Sequence, residues 1–138
     1  KRIATMAERQ QYDPGRGTSA YVKGTLHVLR IRRVQSPHVW EQYSLRRAII
    51  ASENDGDPNE KLLWHGTSNI KIILRDGFDP RLSNMKGMFG AGTYFADKTT
   101  KSVRYCGNTG QLLLCRVSLG RAYVTGAAQP HLRRPPEP

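Results

Sequence analysis

Apolar and polar residues alternate along the second part of residues 21–34, where leucine, isoleucine and valine fall between basic side chains. A period of two with β-branched residues is typical of a strand, so we predict one over 21–34, with both faces partly covered. Ser36 and Pro37 match an N-cap followed by proline at the first helical position. Apolar residues near helical spacing then predict a helix over residues 37–51.

The middle of the chain contains a short apolar stretch, then apolar residues at helical spacing, and then a glycine. We predict a strand over residues 61–64 and a helix over 69–76. Ser68 is the expected cap of this helix, and Gly77 is the expected residue that ends it. Residues 78–92 are rich in Gly, Asn, Asp and Met, which predicts a loop.

The last part of the chain shows shorter patterns. We predict a short strand over residues 93–96, a short helix that Asp97 caps and that continues to about residue 106, and a further strand over 121–125. Residues 111–119 are apolar enough to be a central strand. The order β-α-β-α-loop-β-α-β-β predicts an α+β fold with a mixed or antiparallel sheet and packed helices.

The chain of 138 residues is expected to form one domain with a sizeable core. We divide it into an N-terminal helix or tail over 1–20, a globular domain over 21–125 and a proline-rich loop or tail over 126–138. No apolar run approaches the roughly 20 residues that cross a bilayer, so we expect no membrane span. Cys106 and Cys115 are expected to be free thiols in a reducing, intracellular compartment.

The net charge of +11 is unevenly distributed along the chain. Residues 1–60 carry 10 Lys and Arg against 7 Asp and Glu, whereas residues 61–138 carry 12 against 4. The basic second half would attract a polyphosphate, a nucleic acid or an acidic protein surface. Aromatic residues do not interleave regularly with Lys and Arg, so the pattern gives no separate indication of a nucleic-acid platform.

The candidate chemistry begins at the end of the predicted strand over 61–64. His65 offers an imidazole, and Gly66 allows a ligand to approach the backbone closely because it has no Cβ. One N–H and one C=O that point the same way can pair with a carboxamide. Thr67 adds a hydroxyl. The alternative is a structural turn capped by Ser68.

A second candidate segment contains three glycines followed by an aromatic pair. Gly87, Gly90 and Gly92 precede a predicted strand, whereas the glycines of a Rossmann fingerprint follow a strand and open a helix. A glycine-rich segment that enters a strand at Tyr94 fits a mobile lid over a pocket. The alternative is a flexible hairpin with a buried tyrosine.

The third candidate group lies on the predicted short helix. Lys101 and Tyr105 share a helical face, and Ser102 lies beside them. A hydroxyl and an aromatic ring on one side could complete a pocket for a flat ring. The alternative is an exposed helix whose tyrosine packs on the sheet.

These motifs together resemble a known family. His-Gly-Thr, then Gly-x-Phe-Gly-x-Gly-x-Tyr-Phe-Ala, then Lys-Ser and Tyr are similar to the catalytic domain of the poly(ADP-ribose) polymerases, which are diphtheria-toxin-like ADP-ribosyltransferases. The resemblance runs from residue 62 to about residue 124 and looks nearest to tankyrase and the DNA-dependent members. It implies the ADP-ribosyltransferase fold, here without its C-terminal strands, and NAD as the substrate.

The resemblance also implies a role for each matching residue. His65 would bond the adenosine ribose of NAD, and Gly66 and Ser102 would hold the nicotinamide amide. Tyr94 and Tyr105 would stack on the two faces of the nicotinamide ring, and His65 and Tyr94 are the implied catalytic pair. The remaining implied pocket residues are Thr67, Phe95, Ala96 and Lys101, and residues 78–92 match the loop over the dinucleotide.

Two departures from the family pattern affect these expectations. The family's third catalytic residue is a glutamate on a late strand, and no segment of this sequence matches its context; Glu137 lies among prolines and is not assigned to that role. We therefore expect either a fragment, which a second polypeptide segment could complete, or a reduced or inactive member. The short connection from Cys106 to Gln111 lacks the zinc-binding insertion of tankyrase, so we expect no metal.

The sequence predicts an NAD-dependent ADP-ribosyltransferase, poly or mono, that transfers ADP-ribose to acceptor proteins in the nucleus or cytoplasm. The nicotinamide–ribose bond would break through a transition state that resembles an oxocarbenium ion, as in glycoside cleavage. The first alternative is a catalytically inactive module that binds NAD and acts as a scaffold. The second is a basic nucleic-acid-binding domain in which the pocket motif is incidental.

Overall fold

A computed structural model describes residues 26–134 and Pro136. Its helices are α1 (Pro37–Ser52), α2 (Ile70–Asp76) and α3 (Thr99–Ser102), and its strands are β1 (Glu60–Gly66), β2 (Asn84–Gly87), β3 (Gly90–Gly92) and β4 (Leu112–Ser118). Short 3-10 helices cover Pro80–Leu82, Val103–Tyr105 and Gly107–Thr109. Strand β1 pairs with β4, and β2 pairs with β3 in antiparallel fashion. The predicted α+β class is confirmed.

Helix α1 begins where proline was expected to start it. Ser36 has extended backbone angles, and Pro37 lies in the first turn, where its missing N–H leaves no helical bond unmade. The Ser36 hydroxyl makes no capping hydrogen bond, so only its backbone C=O takes part, accepting from Trp40 N–H at 2.9 Å. None of the described helices has the length and hydropathy needed to cross a bilayer.

The described residues fall into two compact units. The first unit comprises residues 26–34, 63–70 and 95–115, and the second comprises 35–62, 71–94 and 116–134 together with Pro136. Trp64, Ile70, Ala96 and Cys106 form the buried apolar part of the first unit. In the second unit, Gly120 is buried, and a Cβ added there would lie 2.8 Å from Ile50 Cγ2.

A carboxylate joins helix and sheet in the second unit. Tyr43 donates its hydroxyl to Glu60 Oε2 at 2.6 Å and lies 3.0 Å from Ser118 Oγ. Arg47 donates Nε–H to the same Glu60 oxygen at 3.0 Å, and Arg116 Nη1 lies 3.5 Å from the other oxygen. The Tyr43 hydroxyl, followed by the two arginines, lowers the pKa of Glu60, while burial opposes this shift.

Three predicted strands are wrong. Residues 26–34, the described part of the first, have no regular secondary structure, and residues 27–34 are exposed. Residues 121–125 are also irregular, and of residues 93–96 only Ala96 forms a β-bridge. Alternation and β-branching favour a strand only where a neighbouring strand is available to pair with it. The residues predicted as a loop over 78–92 instead contain β2, β3 and a 3-10 helix.

Two helices begin one or two residues later than predicted, and one helix end is confirmed. Helix α2 begins at Ile70, and Thr67 rather than Ser68 supplies a nearby cap-like bond by accepting from Asn69 N–H at 3.1 Å. Helix α3 follows Lys98, and the predicted single helix to residue 106 breaks into 3-10 turns. Gly77 ends α2 as expected, with φ of 81° and an N–H bond to Ile73 O at 2.9 Å.

Candidate functional site

The end of β1 is held by a single antiparallel bridge. Trp64 and Ala96 exchange two backbone hydrogen bonds of 2.7 and 2.9 Å. The bridge places the following His65 beside Phe95, and their ring centroids lie 5.3 Å apart at an interplanar angle of 51°. The structure therefore brings together three of the predicted site residues, His65, Phe95 and Ala96, at the point where β1 ends.

Ser102 ties helix α3 to this strand. Its side chain is 4% exposed, and its hydroxyl donates to Trp64 O at 3.0 Å. Because a hydroxyl has one proton and two lone pairs, the oxygen keeps the capacity to accept a hydrogen bond. Ser102 is thus suited to receive an N–H from an amide, and it also has a structural role that the sequence did not predict.

Gly66 lies directly against the helix. A Cβ added there would overlap the Ser102 carbonyl oxygen and would lie 3.3 Å from Tyr105 Cβ. The absence of a side chain at position 66 is therefore required for β1 to pack on α3. This packing gives Gly66 a structural role in addition to its predicted role of admitting a ligand. Tyr105 itself is 65% exposed.

A buried cysteine supports the loop after β1. Cys106 is 1% exposed and donates its thiol proton to Gln111 O at 2.8 Å. Burial raises the pKa of the Cys106 thiol, and a backbone hydrogen bond from Thr67 acts in the opposite direction. Gly107, at φ of 56°, packs beside Ser68. Cys106 and Cys115 are both free thiols, as expected.

Tyr94, in the second unit, organises the glycine-rich hairpin. Its hydroxyl donates to Gly90 O at 2.6 Å and accepts from Phe89 N–H at 3.1 Å. A Cβ added to Gly87 would overlap this hydroxyl and would lie 2.6 Å from Tyr94 Cε2. Gly87 is therefore explained by a hairpin that closes around a phenol, a contact that the spacing alone did not reveal.

Comparison with known proteins places this arrangement in a family. The sequence model of the poly(ADP-ribose) polymerase catalytic domain matches residues 9–137. The chain belongs to that family. The predicted resemblance is confirmed, and the mixed fold of helices and antiparallel pairs is consistent with it.

Individual relatives match parts of this polymerase-family chain. Poly [ADP-ribose] polymerase tankyrase of Caenorhabditis elegans is 42% identical over 74 residues, which cover 47% of the chain and 3% of that relative. Protein mono-ADP-ribosyltransferase PARP11 of Homo sapiens is 36% identical over 96 residues, which cover 62% of the chain and 28% of that relative. Poly [ADP-ribose] polymerase 2 of Arabidopsis thaliana is 38% identical over 104 residues, covering 64% and 16%. The aligned segments thus span less than a third of these relatives.

The nine predicted site residues of the polymerase-family chain are divided between the two units. Tyr94 belongs to the second unit, and the other eight belong to the first: His65, Gly66, Thr67, Phe95, Ala96, Lys101, Ser102 and Tyr105. Lys101 is exposed on α3. The predicted stacking of two tyrosines on one ring stays a prediction. Within the described part of the chain, no group of three or more His, Cys, Asp or Glu side chains could hold a metal ion.

Sequence reasoning missed a contact made by the proline-rich segment near the end of the chain. Gln129 donates its backbone N–H to Met88 O at 2.7 Å, and Ala91 donates to Leu132 O at 2.8 Å. Both bonds join residues about 40 positions apart in the sequence. Loop composition carries no signal for such a contact, so the segment was predicted only as a loop or tail.

Proposed function

We propose that this chain is an NAD-dependent protein ADP-ribosyltransferase domain, one that breaks the nicotinamide–ribose bond and transfers ADP-ribose to an acceptor protein. Membership of the polymerase catalytic-domain family supports ADP-ribosyl transfer in general. The observation that carries the proposal is the grouping of His65, Gly66 and Ser102 where β1 meets α3. An imidazole, a glycine backbone and a hydroxyl are combined there within one compact unit.

The residues present fit the nicotinamide end of NAD. The backbone N–H and C=O of Gly66 are the donor and acceptor that a carboxamide needs. Ser102 can accept from the amide because its own proton is committed to Trp64 O. The family resemblance assigns His65 to a ribose, and the imidazole can serve as donor or acceptor for a ribose hydroxyl.

These contacts would act mainly through orientation. As the bond breaks, its electron pair moves to the nicotinamide nitrogen, and positive charge develops on the ribose. Holding the leaving amide and the ribose in one geometry turns the reaction into an effectively intramolecular process, which can supply several kcal/mol. The acceptor side chain then attacks the ribose carbon and loses its proton to solvent or to a base.

A second candidate is an NAD-binding module without turnover. It needs the same contacts to NAD and no step that breaks the nicotinamide–ribose bond. We further propose acceptor proteins as partners and the nucleus or cytoplasm as the site of action. A second polypeptide segment could complete the domain.

The deciding experiment uses NAD carrying one label in the nicotinamide and another in the adenylate half. A transferase releases the first label and attaches the second to protein. Saturable binding of a benzamide-type competitor without release of either label would establish the second candidate. Absence of NAD and competitor binding in the folded chain would overturn both.

A further inference from the structure

Residues 129–133 run along the glycine-rich hairpin of the second unit, and we call them the strap. Two short backbone hydrogen bonds join them, from Gln129 N–H to Met88 O and from Ala91 N–H to Leu132 O. Arg133 adds a longer bond from Nη1 to Met85 O at 3.4 Å. The strap is itself turned by a bond from Leu132 N–H to Gln129 O at 3.2 Å.

The contact between strap and hairpin is tight at one glycine. Gly90 is buried and has φ of 92°, a conformation that residues with a Cβ rarely adopt. A Cβ added there would overlap Leu132 O and would lie 2.7 Å from Leu132 Cβ. The hairpin and the strap therefore touch with no space for a methyl group.

Each residue of the hairpin turn, residues 88–91, has one backbone group that forms a hydrogen bond to the strap or to Tyr94. The strap takes Met88 O and Ala91 N–H, while the Tyr94 hydroxyl takes Phe89 N–H and Gly90 O. The turn cannot change its backbone conformation without breaking bonds to one of these two partners. The turn is therefore held by contacts within the protein, and the mobile lid that the glycine spacing predicted stays a prediction.

We propose that the strap is a positioning element for the hairpin, which fixes the 88–91 turn in its binding conformation in advance. The inference rests on the proposed function, because the family resemblance assigns residues 78–92 to the loop over the dinucleotide. A loop that is already ordered loses less conformational entropy on binding, so its ligand binds more tightly. Loosening the strap should therefore weaken NAD binding without altering any predicted contact residue.

The first test removes one hydrogen-bond donor from the strap. Gln129→Pro deletes the N–H that bonds Met88 O, and hydrogen exchange at the Ala91 amide reports whether the other bond survives. We expect that amide to exchange about tenfold faster or more, because local opening becomes easier. We expect the dissociation constant for NAD, measured by calorimetry, to rise by about threefold to tenfold, the range over which loop ordering commonly affects affinity.

Two matched variants isolate the effect of the N–H. Ala128→Pro introduces a proline at the preceding position. Gln129→Ala retains the N–H and removes only the side chain, whose buried Oε1 has no hydrogen-bond partner among the described residues. Both should exchange and bind like the parent chain. Equally fast hydrogen exchange at the Ala91 amide in all three variants would contradict a specific role for the Gln129 N–H.

The second test approaches the same contact from the hairpin. Gly90→Ala places a methyl group against Leu132, whereas Gly126→Ala introduces the same methyl group where nothing lies within 4 Å. We expect faster exchange at the Gln129 amide and weaker NAD binding for the first variant only. If Gln129→Pro fails to fold, this pair of variants still tests whether the contact between strap and hairpin affects NAD binding.

The outcomes separate the strap from the proposed function. The claim that the strap holds the hairpin would be overturned by two results together. These are unchanged hydrogen exchange at the Ala91 amide in folded Gln129→Pro and unchanged exchange at the Gln129 amide in Gly90→Ala. Faster exchange with unchanged NAD affinity would overturn its positioning role. If the parent chain binds no NAD, the proposed function fails and the positioning role fails with it, while the exchange data still report whether the strap holds the hairpin.

Discussion

At the scale of single residues, His65 carries the clearest prediction for the site. It lies against Phe95 at the end of β1, and the family resemblance assigns its imidazole to a ribose. Replacement by alanine should weaken NAD binding by roughly tenfold, as expected for one lost hydrogen bond of about 1.4 kcal/mol. Calorimetry with His65→Ala measures this loss. His38→Ala, an exposed histidine on α1, should bind normally, and equal affinity of both variants would remove His65 from the site.

Gly66 affects stability as well as any ligand. Because an added Cβ would overlap the Ser102 carbonyl, Gly66→Ala should destabilise the fold by about 2 kcal/mol, the usual scale of overpacking. Urea unfolding of Gly66→Ala, compared with Gly92→Ala, tests this expectation. A Cβ at Gly92 meets nothing within 4 Å, so that variant should change stability by less than about 0.5 kcal/mol. Equal stability of the two variants would contradict the packing of β1 on α3.

Cys115 should be chemically inert in the folded chain. Burial raises the pKa of its thiol to about 12. Since only the thiolate reacts, about one molecule in ten thousand is reactive at pH 8. We expect mass spectrometry to show very slow alkylation of Cys115 by iodoacetamide in native buffer and rapid alkylation in urea. Rapid native labelling at Cys115 would contradict the raised pKa of this half-buried thiol in β4.

At the scale of elements, Glu60 links α1 to the β1–β4 pair, and this link makes the stability of the fold depend on pH in the acidic range. Its folded pKa lies below the ordinary value of 4.5, chiefly because the Tyr43 hydroxyl bonds the carboxylate. The resulting stabilisation is present above that ordinary value and is lost as the pH falls through the lower folded pKa. Thermal unfolding should therefore show declining stability on acidification in this range.

Glu60→Gln should remove this part of the pH dependence and cost about 1 kcal/mol at pH 7, since a charge-assisted bond becomes a neutral one. Glu41→Gln, which changes an exposed carboxylate on α1, should keep the full dependence. The pKa values of Asp76 and Asp79 are also lowered, by Arg75 and Arg81, so a residual slope should persist in both variants. Identical pH profiles for Glu60→Gln and the parent would contradict the link.

Elements that depend on local pattern were predictable from the sequence. Helix α1 and strand β4 match their predicted ranges within about one residue because proline, helical spacing and a continuous apolar run act over short distances. Residues 26–34 carry an equally clear alternation, but that pattern cannot specify a partner strand. The Tyr94 hydroxyl and the strap were not predictable because both stabilise the hairpin through contacts that composition does not encode.

At the scale of the whole molecule, large apolar side chains are distributed unequally between interior and surface. Leu29 is 96% exposed, whereas Trp64 is 6% exposed. Leu29→Asp should therefore change the free energy of unfolding by less than about 0.5 kcal/mol, while Trp64→Ala should cost about 3–5 kcal/mol. Urea titration of both variants makes the comparison. A large loss in Leu29→Asp would show that residues 26–34 pack against another part of the protein in solution.

The family and the site were predictable from the sequence to different degrees. The spacing from His65 to Tyr105 was specific enough to identify the family. It could not show that Gly66 serves packing or that the Ser102 proton is already used by Trp64 O. These roles depend on which atoms meet when β1 folds onto α3, and a list of residue types does not contain that information.

The closure of the hairpin around Tyr94 makes two positions mutually dependent. A side chain at position 87 would occupy the volume of the phenol ring, so replacing Gly87 alone should be harmful, and shrinking residue 94 should leave a hole. Each change could offset the other's steric effect. Libraries that vary these two positions together should therefore recover combinations that single-position scanning would discard. A smaller residue at position 94 would still lack the two hydrogen bonds that the tyrosine hydroxyl makes to Phe89 and Gly90.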